Sequence, residues 1–258
     1  MALPASLRVV ESGARVYRRT WRGSVISTFL NPVLFLLAMG VGLGELVDAG
    51  EGSTFLGLPY LTFLAPGLLA ATAMQAAAGD ASYPVMAGIK WRKTYHAALA
   101  TPIRVRDLVL GHLGWVGIRL VFVTGVYAMI MSLFGATSWV QGLLAVPPAV
   151  LTGVAFAAAV TAYTARLENE IGLSTLFRFG ILPLFLFSGT FFPVSQLPDA
   201  IEWFAYLTPL WHGVALCRGL ALDIGFRVHP LVSFAYLGLW IVLGTVAAVR
   251  LMRRRLVL

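Results

Sequence analysis

Charged residues are scarce in this sequence, and that scarcity is the first constraint on its fold. Only 12% of the 258 residues are charged and 59% are hydrophobic, against about 25% and roughly 45–50% in an average soluble domain. So few charges cannot cover the surface of a water-soluble globule of this size. We therefore predict that lipid is the solvent for much of the chain, which has room for a single membrane domain over 1–258.

Motifs for nucleotide, nucleophile or metal chemistry are also missing. The sequence has no G-x-x-x-x-G-K-[ST] phosphate-binding loop, no G-x-S-x-G serine motif and no histidine spacing that would gather a metal ion. The single cysteine, Cys217, excludes an intrachain disulfide framework. We therefore expect no catalytic residue, no metal site and no nucleotide hydrolysis on this chain.

Six apolar stretches are present, each long enough for a helix that crosses a bilayer, which takes about 20 residues. The fold class that they predict is an all-α membrane protein with six transmembrane helices. The predicted spans are 25–43, 60–78, 108–134, 143–165, 173–192 and 231–249.

The number of lysines and arginines alternates between high and zero along the first four segments that flank these spans. Five precede the first span, five lie between the second and third, and four follow the last, whereas the first-to-second and third-to-fourth loops have none. This pattern is typical of the positive-inside rule. It predicts a multi-pass protein of the plasma or inner membrane with both termini in the cytoplasm. The net charge of +8 then reflects orientation, and we expect no nucleic-acid partner.

Two segments outside the spans have their own pattern. Residues 1–22 place apolar side chains such as Leu3 and Tyr17 on one helical face beside five arginines, which predicts an amphipathic interface helix on the membrane surface. An ordinary basic anchor is the alternative. Residues 194–228 are too apolar for a free loop and too interrupted by proline and glycine for a straight span. They predict outer re-entrant helices between spans 5 and 6, or alternatively a surface cap of two helices.

Few residues are candidates for a transport pathway. Arg119 is predicted near the bilayer middle, where inserting an arginine costs free energy. Two roles would explain it: contact with substrate or a gate, or structural hydrogen bonds to helix carbonyls. Phe187, Phe191 and Phe192 belong to an aromatic-rich stretch that suits either an amphipathic substrate or plain helix packing. None of the eleven acidic residues falls mid-span, which argues against an ion-coupled secondary exporter.

The predicted cytoplasmic loop 84–105 resembles a docking surface. At helical spacing it places three anchors on one face, with basic and polar residues around them, which suits a helix that inserts into a partner's groove. An interfacial helix that rests on lipid is the alternative. The candidate residues are Lys90, Trp91, Arg92, Lys93, Thr94, Tyr95 and Leu99, and the next cytoplasmic loop adds Arg166, Glu168 and Glu170.

Four stretches in this order and spacing are similar to a known family. They are 63–68 (FLAPGL), 91–102 (WRKTYHAALATP), 107–111 (DLVLG) and 187–198 (FSGTFFPVSQLP), with PLWH following at 209–212. Over essentially its whole length the chain resembles the type-2 ABC exporter permeases, especially the branch of nodulation protein J and the daunorubicin-exporter permease.

This resemblance implies a non-hydrolytic permease subunit that forms a dimer, expected to be a homodimer, and pairs with two copies of a separate ABC ATPase that binds ATP and magnesium. Loop 88–101 would be the coupling helix that docks on the ATPase, and the membrane lipids would surround the spans. The substrate would be an amphipathic drug, lipid or lipid-linked glycan. The alternatives are an ion-coupled secondary exporter and a membrane assembly factor or enzyme for lipid intermediates.

Overall fold

The computed structural model describes residues 4–49 and 57–257, and within them it contains helices and no strand. The helices are α1 (Ala5–Phe35), a π-helical segment (Leu36–Gly42), α2 (Leu43–Asp48), α3 (Tyr60–Ala81), α4 (Tyr83–Met86), a π-helical segment (Ala87–Trp91), α5 (Thr94–Leu99), α6 (Val105–Leu133), α7 (Trp139–Leu144), α8 (Val146–Arg166), α9 (Ile171–Leu176), a π-helical segment (Phe177–Ile181), α10 (Leu182–Phe187), a 3₁₀ turn (Val194–Gln196), α11 (Asp199–Tyr206), α12 (Pro209–Leu222) and α13 (Pro230–Leu256).

Five helical segments of the described chain are long and apolar enough to cross a membrane. They are Trp21–Asp48, Tyr60–Trp91, Val105–Leu133, Trp139–Arg166 and Pro230–Leu256. The all-α membrane class is therefore confirmed.

The predicted fifth span is shorter than expected. Its helix runs over Ile171–Phe187, 17 residues or about 26 Å, and the predicted end at 192 is wrong. The chain leaves the helix after Phe187 because Gly189 has a left-handed backbone (φ 83°) and Pro193 follows, which has no N–H to continue a helix.

The predicted interface helix and the first span form one unbroken helix, α1. Residues 1–3, and with them Leu3, lie outside the described residues. The first turns of α1 pack on α6 rather than resting on lipid alone. At Gly111 an added Cβ would lie 2.5 Å from the Cβ of Val9 and 2.6 Å from the carbonyl oxygen of Ser6. Tyr17 meets Trp115 edge to face, with ring centroids 5.8 Å apart. Contact with α6 is possible because glycine leaves room for it.

Helix α3 is the centre of the bundle and packs against α6, α8 and α12. Its alanines at 65, 70, 71, 73, 77, 78 and 81 are fully buried. Small side chains let helix backbones approach closely, which is how helices associate in lipid. Near the end of α3 the hydroxyl of Thr164 in α8 donates to the carbonyl of Ala81 over 3.0 Å.

Helices α11 and α12 occupy the segment that was predicted to be re-entrant. α12 is inserted among α3, α8 and α13, and Gly213 is so close to Thr152 that a Cβ there would lie 2.1 Å from the Thr152 hydroxyl. The turn between the two helices reaches about two turns into α13, since Tyr236 donates its hydroxyl hydrogen to the carbonyl of Leu207. α12 is therefore part of the packed bundle and not a surface cap.

The bundle has two chemically different ends. We call the basic end the one where α3, α8 and α13 finish and α6 begins. It carries the lysines and arginines of 90–106, Arg166 and the arginines of 250–255. The opposite end carries the α6–α7 turn at Gly135 and the loop into α13.

Candidate functional site

The predicted coupling loop lies at the basic end as a continuation of α3. The chain changes direction at Ser82 (φ −98°, ψ −97°) and then runs through α4 and the segment Ala87–Trp91. Lys93 has a left-handed backbone (φ 52°) and precedes α5. A left-handed residue breaks a right-handed helix. The single helical face expected for Trp91, Tyr95 and Leu99 is therefore interrupted, and that part of the prediction is wrong.

The three anchors consequently face different surroundings. Tyr95 lies against Gly88, where an added Cβ would be 2.8 Å from the tyrosine ring, and it packs on the core together with Leu99. Burial raises the pKa of the Tyr95 phenol, which therefore stays neutral. Trp91 remains 50% exposed. The outward surface of the loop is formed by Lys90, Trp91, Arg92, Lys93 and Thr94.

The two predicted cytoplasmic loops form one surface. Lys90 donates from Nζ to the carbonyl oxygen of Glu168 over 2.9 Å. Arg166, Glu168 and Glu170 are exposed beside it. Arg255, near the end of α13, donates from Nη1 to the last carbonyls of α8, those of Thr164 (3.2 Å) and Ala165 (3.1 Å). From the sequence, Arg255 was counted only among the basic residues that set the orientation in the membrane.

Arg119 forms an ion pair with Asp80, which lies just beyond the predicted second span. Nη1 of Arg119 donates to Oδ1 of Asp80, and the guanidinium also lies over the ring of Tyr17, 5.4 Å from its centroid. The two side chains are 25% and 17% exposed. Because Asp80 is in the last turn of α3, Arg119 lies level with that turn. The pair joins α3 to α6, with α1 covering it.

The pathway phenylalanines separate in the structure. Phe191 belongs to a cluster with Phe35 and Phe185, whose ring centroids are 5.1 to 6.2 Å apart, whereas Phe187 is 40% exposed and Phe192 half-buried. The cluster borders a cavity of about 590 Å³ between α1, α3 and α6, which Arg119 also lines. Phe35 and Phe185 complete this aromatic site. Phe185 belongs to the same aromatic-rich stretch of the sequence, whereas no sequence pattern indicated Phe35.

Arg218 is a partly buried polar residue that no sequence pattern had indicated as part of a site. It donates from Nε to the carbonyl of Phe63 (3.2 Å) and from Nη2 to the carbonyls of Gly189 (3.0 Å) and Thr190 (3.5 Å). Its guanidinium lies 3.8 Å from the centroid of the Phe63 ring. Arg218 thereby ties α12 to α3 and to the turn after α10. Its position could have indicated this role, because an arginine within the apolar stretch 209–222 is unlike the charged residues of an exposed loop.

Among residues 4–49 and 57–257, no three histidine, cysteine or acidic side chains are grouped as a metal ion would require.

Comparison with known proteins matches residues 9–222 to the family described as ABC-2 type transporter. This chain belongs to that family. The permease is 32% identical to nodulation protein J of Sinorhizobium fredii over 93% of this chain and 92% of the relative. It is 30% identical to nodulation protein J of Rhizobium meliloti over 99% and 97%. It is 25% identical to the inner membrane transport permease YadH of Escherichia coli over 84% and 82%. It is thus an integral membrane protein and the transmembrane permease subunit of an ABC transporter, a family whose members act with an ABC ATPase subunit.

Proposed function

We propose that this permease is the membrane subunit of an ATP-driven exporter that moves an amphipathic molecule out of the cytoplasm or the inner leaflet. A separate ATPase, in two copies, binds ATP and magnesium and supplies the energy. Two copies of the permease form the membrane unit. In this proposal the basic end faces the cytoplasm, in keeping with the positive-inside rule.

The observation that carries the proposal is the exposed loop surface around Trp91. A half-exposed tryptophan ringed by Lys90, Arg92 and Lys93 has the composition of a docking anchor, since tryptophan dominates binding energy at interfaces. The loop continues directly from the buried helix α3, so a displacement of Trp91 is passed to the centre of the bundle. The bond from Lys90 to the carbonyl of Glu168 connects the same surface to the end of α8.

The amphipathic character of the substrate is supported by the lining of the cavity beside α1. Its lining includes the polar side chains of Thr28, Asn31 and Gln75 as well as the rings of Phe35 and Phe185. Such a mixed lining offers hydrogen bonds to a polar group and apolar contact to a chain or ring.

The test is reconstitution of the permease with its ATPase in proteoliposomes. Trp91→Ala should lower the affinity for the ATPase by roughly 30-fold, the equivalent of about 2 kcal/mol for a tryptophan anchor, and should abolish ATP-dependent transport. Trp139→Ala is the matched control, because Trp139 is similarly exposed, at 59%, but lies at the opposite end of the bundle. Equal loss in both variants, or transport driven by an ion gradient without ATP, would contradict the proposal.

A further inference from the structure

A second cavity lies at the basic end, between the first turns of α1, the coupling loop and α6. Its volume is about 700 Å³, within the range of about 300–1,000 Å³ that is usual for small-molecule sites. Tyr17 and Trp115 form one wall and Tyr95 another, and the Asp80–Arg119 pair lines it as well. We call it the α1–α6 cleft.

The charges that line the α1–α6 cleft are unbalanced. Arg8 from α1, Arg92 from the coupling loop and Arg119 from α6 all line it, whereas Asp80 is its one acidic residue. Asp80 is already paired with Arg119. Arg8 and Arg92 have no acidic partner within the residues that the structure describes. Two arginines without acidic partners that line one cavity favour an anion, and the planar guanidinium matches the geometry of a phosphate.

His112 supplies an independent indication of a ligand. It lines the same cleft, and its Nε2 atom is buried with no hydrogen-bond partner in the described part of the chain. A buried polar atom without a partner is unfavourable, so native proteins rarely keep one unless something else bonds to it. A phosphate oxygen or a hydroxyl of a bound molecule would satisfy this nitrogen.

The remaining lining is apolar and aromatic. Trp115 and Tyr17 present ring surface, and Val9, Leu108 and Ile103 add aliphatic surface. A free inorganic anion would make no favourable contact with this apolar surface, whereas the hydrocarbon chain or ring of a larger molecule would pack against it. We propose that the α1–α6 cleft binds a phosphate-bearing amphiphile, with its phosphate on Arg8 and Arg92 and its apolar part against Trp115 and Tyr17. The proposal does not rest on the direction of transport or on ATP.

Binding is measured on the purified full-length permease in neutral maltoside micelles, without the ATPase. The probes are dodecyl phosphate and dihexanoyl phosphatidylglycerol, with dodecyl trimethylammonium as the cationic counterpart, and the readout is native mass spectrometry. Both phosphate probes share the chemistry that the cleft recognises. Saturable binding of phosphatidylglycerol identifies a membrane lipid as the source, and binding of dodecyl phosphate alone identifies a single-chain phosphate.

Arg8→Gln and Arg92→Gln should each weaken phosphate binding about tenfold, as expected for loss of one charge-assisted hydrogen bond. Arg15→Gln is the matched control, because Arg15 lies on the same helix but does not line the cleft and is paired with Glu11. It should keep binding within about twofold. His112→Leu should weaken binding and His112→Gln should restore part of it.

The proposal is overturned if neither phosphate probe binds, if the cationic probe competes equally well, or if Arg15→Gln weakens binding as much as Arg8→Gln. The last result would mean that only the overall charge of α1 attracts the probe. Because no ATPase is present, failure here leaves the exporter proposal intact. Trp91 also lines the cleft, but the Trp91 experiment measures affinity for the ATPase, so its failure does not bear on phosphate binding.

Discussion

The ion pair between Asp80 and Arg119 can be tested by removing one charge at a time. Asp80→Asn keeps the shape of the side chain and leaves the guanidinium of Arg119 without a counter-charge. Arg119→Gln does the reverse and also removes the contact with Tyr17. The double variant removes both charges. If the pair holds α3 to α6, each single variant should be harmful and the double variant less harmful than their sum.

The expected loss in the free energy of unfolding depends on how deeply the ion pair is buried. Breaking a fully buried pair costs about 3–5 kcal/mol, and an exposed pair is worth roughly 0–1 kcal/mol. With side chains 17% and 25% exposed, Asp80→Asn should cost about 2–3 kcal/mol. Arg119→Gln should cost about 1 kcal/mol more, because the cation–π contact with Tyr17 is lost as well. The coupling energy in the cycle should be about 2 kcal/mol.

The assay is thermal unfolding of the purified permease in maltoside micelles, followed by tryptophan fluorescence. At this chain length 1 kcal/mol corresponds to roughly 2–4 °C in melting temperature, so Asp80→Asn should melt about 4–12 °C lower. Glu170→Gln, an exposed acidic control at the same end, should change the melting temperature by less than about 2 °C. Strictly additive effects of the two single variants would refute the reasoning, because the two charges would then not interact.

Two further predictions concern contacts that hold α12 and α1. Arg218→Met should lower the free energy of unfolding by about 3 kcal/mol in the same melting assay, because its hydrogen bonds to buried carbonyls are lost. The control Arg227→Gln, at an exposed arginine, should change that free energy by less than about 0.5 kcal/mol. Equal effects of the two variants would contradict the role of Arg218. Gly111→Ala should push α1 away from α6, because its Cβ would lie 2.5 Å from that of Val9, and trypsin should then cut at the arginines of α1 about tenfold faster. Gly114→Ala, with its nearest neighbour at 3.5 Å, should not change that rate.

Much of the helical layout could be predicted from the sequence, because long apolar runs between polar segments leave few alternatives in lipid. Long apolar helices were expected in this way at the second, third and sixth predicted spans, where the structure has them. The interruption of 194–228 by Pro198, Pro209 and Gly213 indicated short helices in place of a straight span. The end of the fifth helix was missed. The length of its apolar run conceals the turn at Gly189, since hydropathy does not distinguish a helix from an apolar turn.

The site was harder to predict, because its residues come together only through the way the helices face one another. Nothing in the order of residues 80 and 119 indicates that the last turn of α3 meets the middle of α6. Lys93 gave no signal of a left-handed backbone, which asparagine or glycine would have given. The spacing of Trp91, Tyr95 and Leu99 therefore predicted one continuous face, whereas the break at Lys93 directs Tyr95 and Leu99 inward and leaves Trp91 exposed.

The position of Asp80 links the loop to the rest of the bundle. It lies two residues before Ser82, where the chain turns from α3 towards Trp91. In the proposed exporter, a force applied at Trp91 would bend the chain at Ser82, and α3, held to α6 by the Asp80–Arg119 pair, would resist the bend. The Lys90 bond to the carbonyl of Glu168 offers a second route, into α8. Because α3 packs on both α6 and α8, the two routes converge on the same buried alanine surface. In the proposed exporter, the loop is therefore a lever whose displacement reaches the central helix before it reaches the lipid-facing ones.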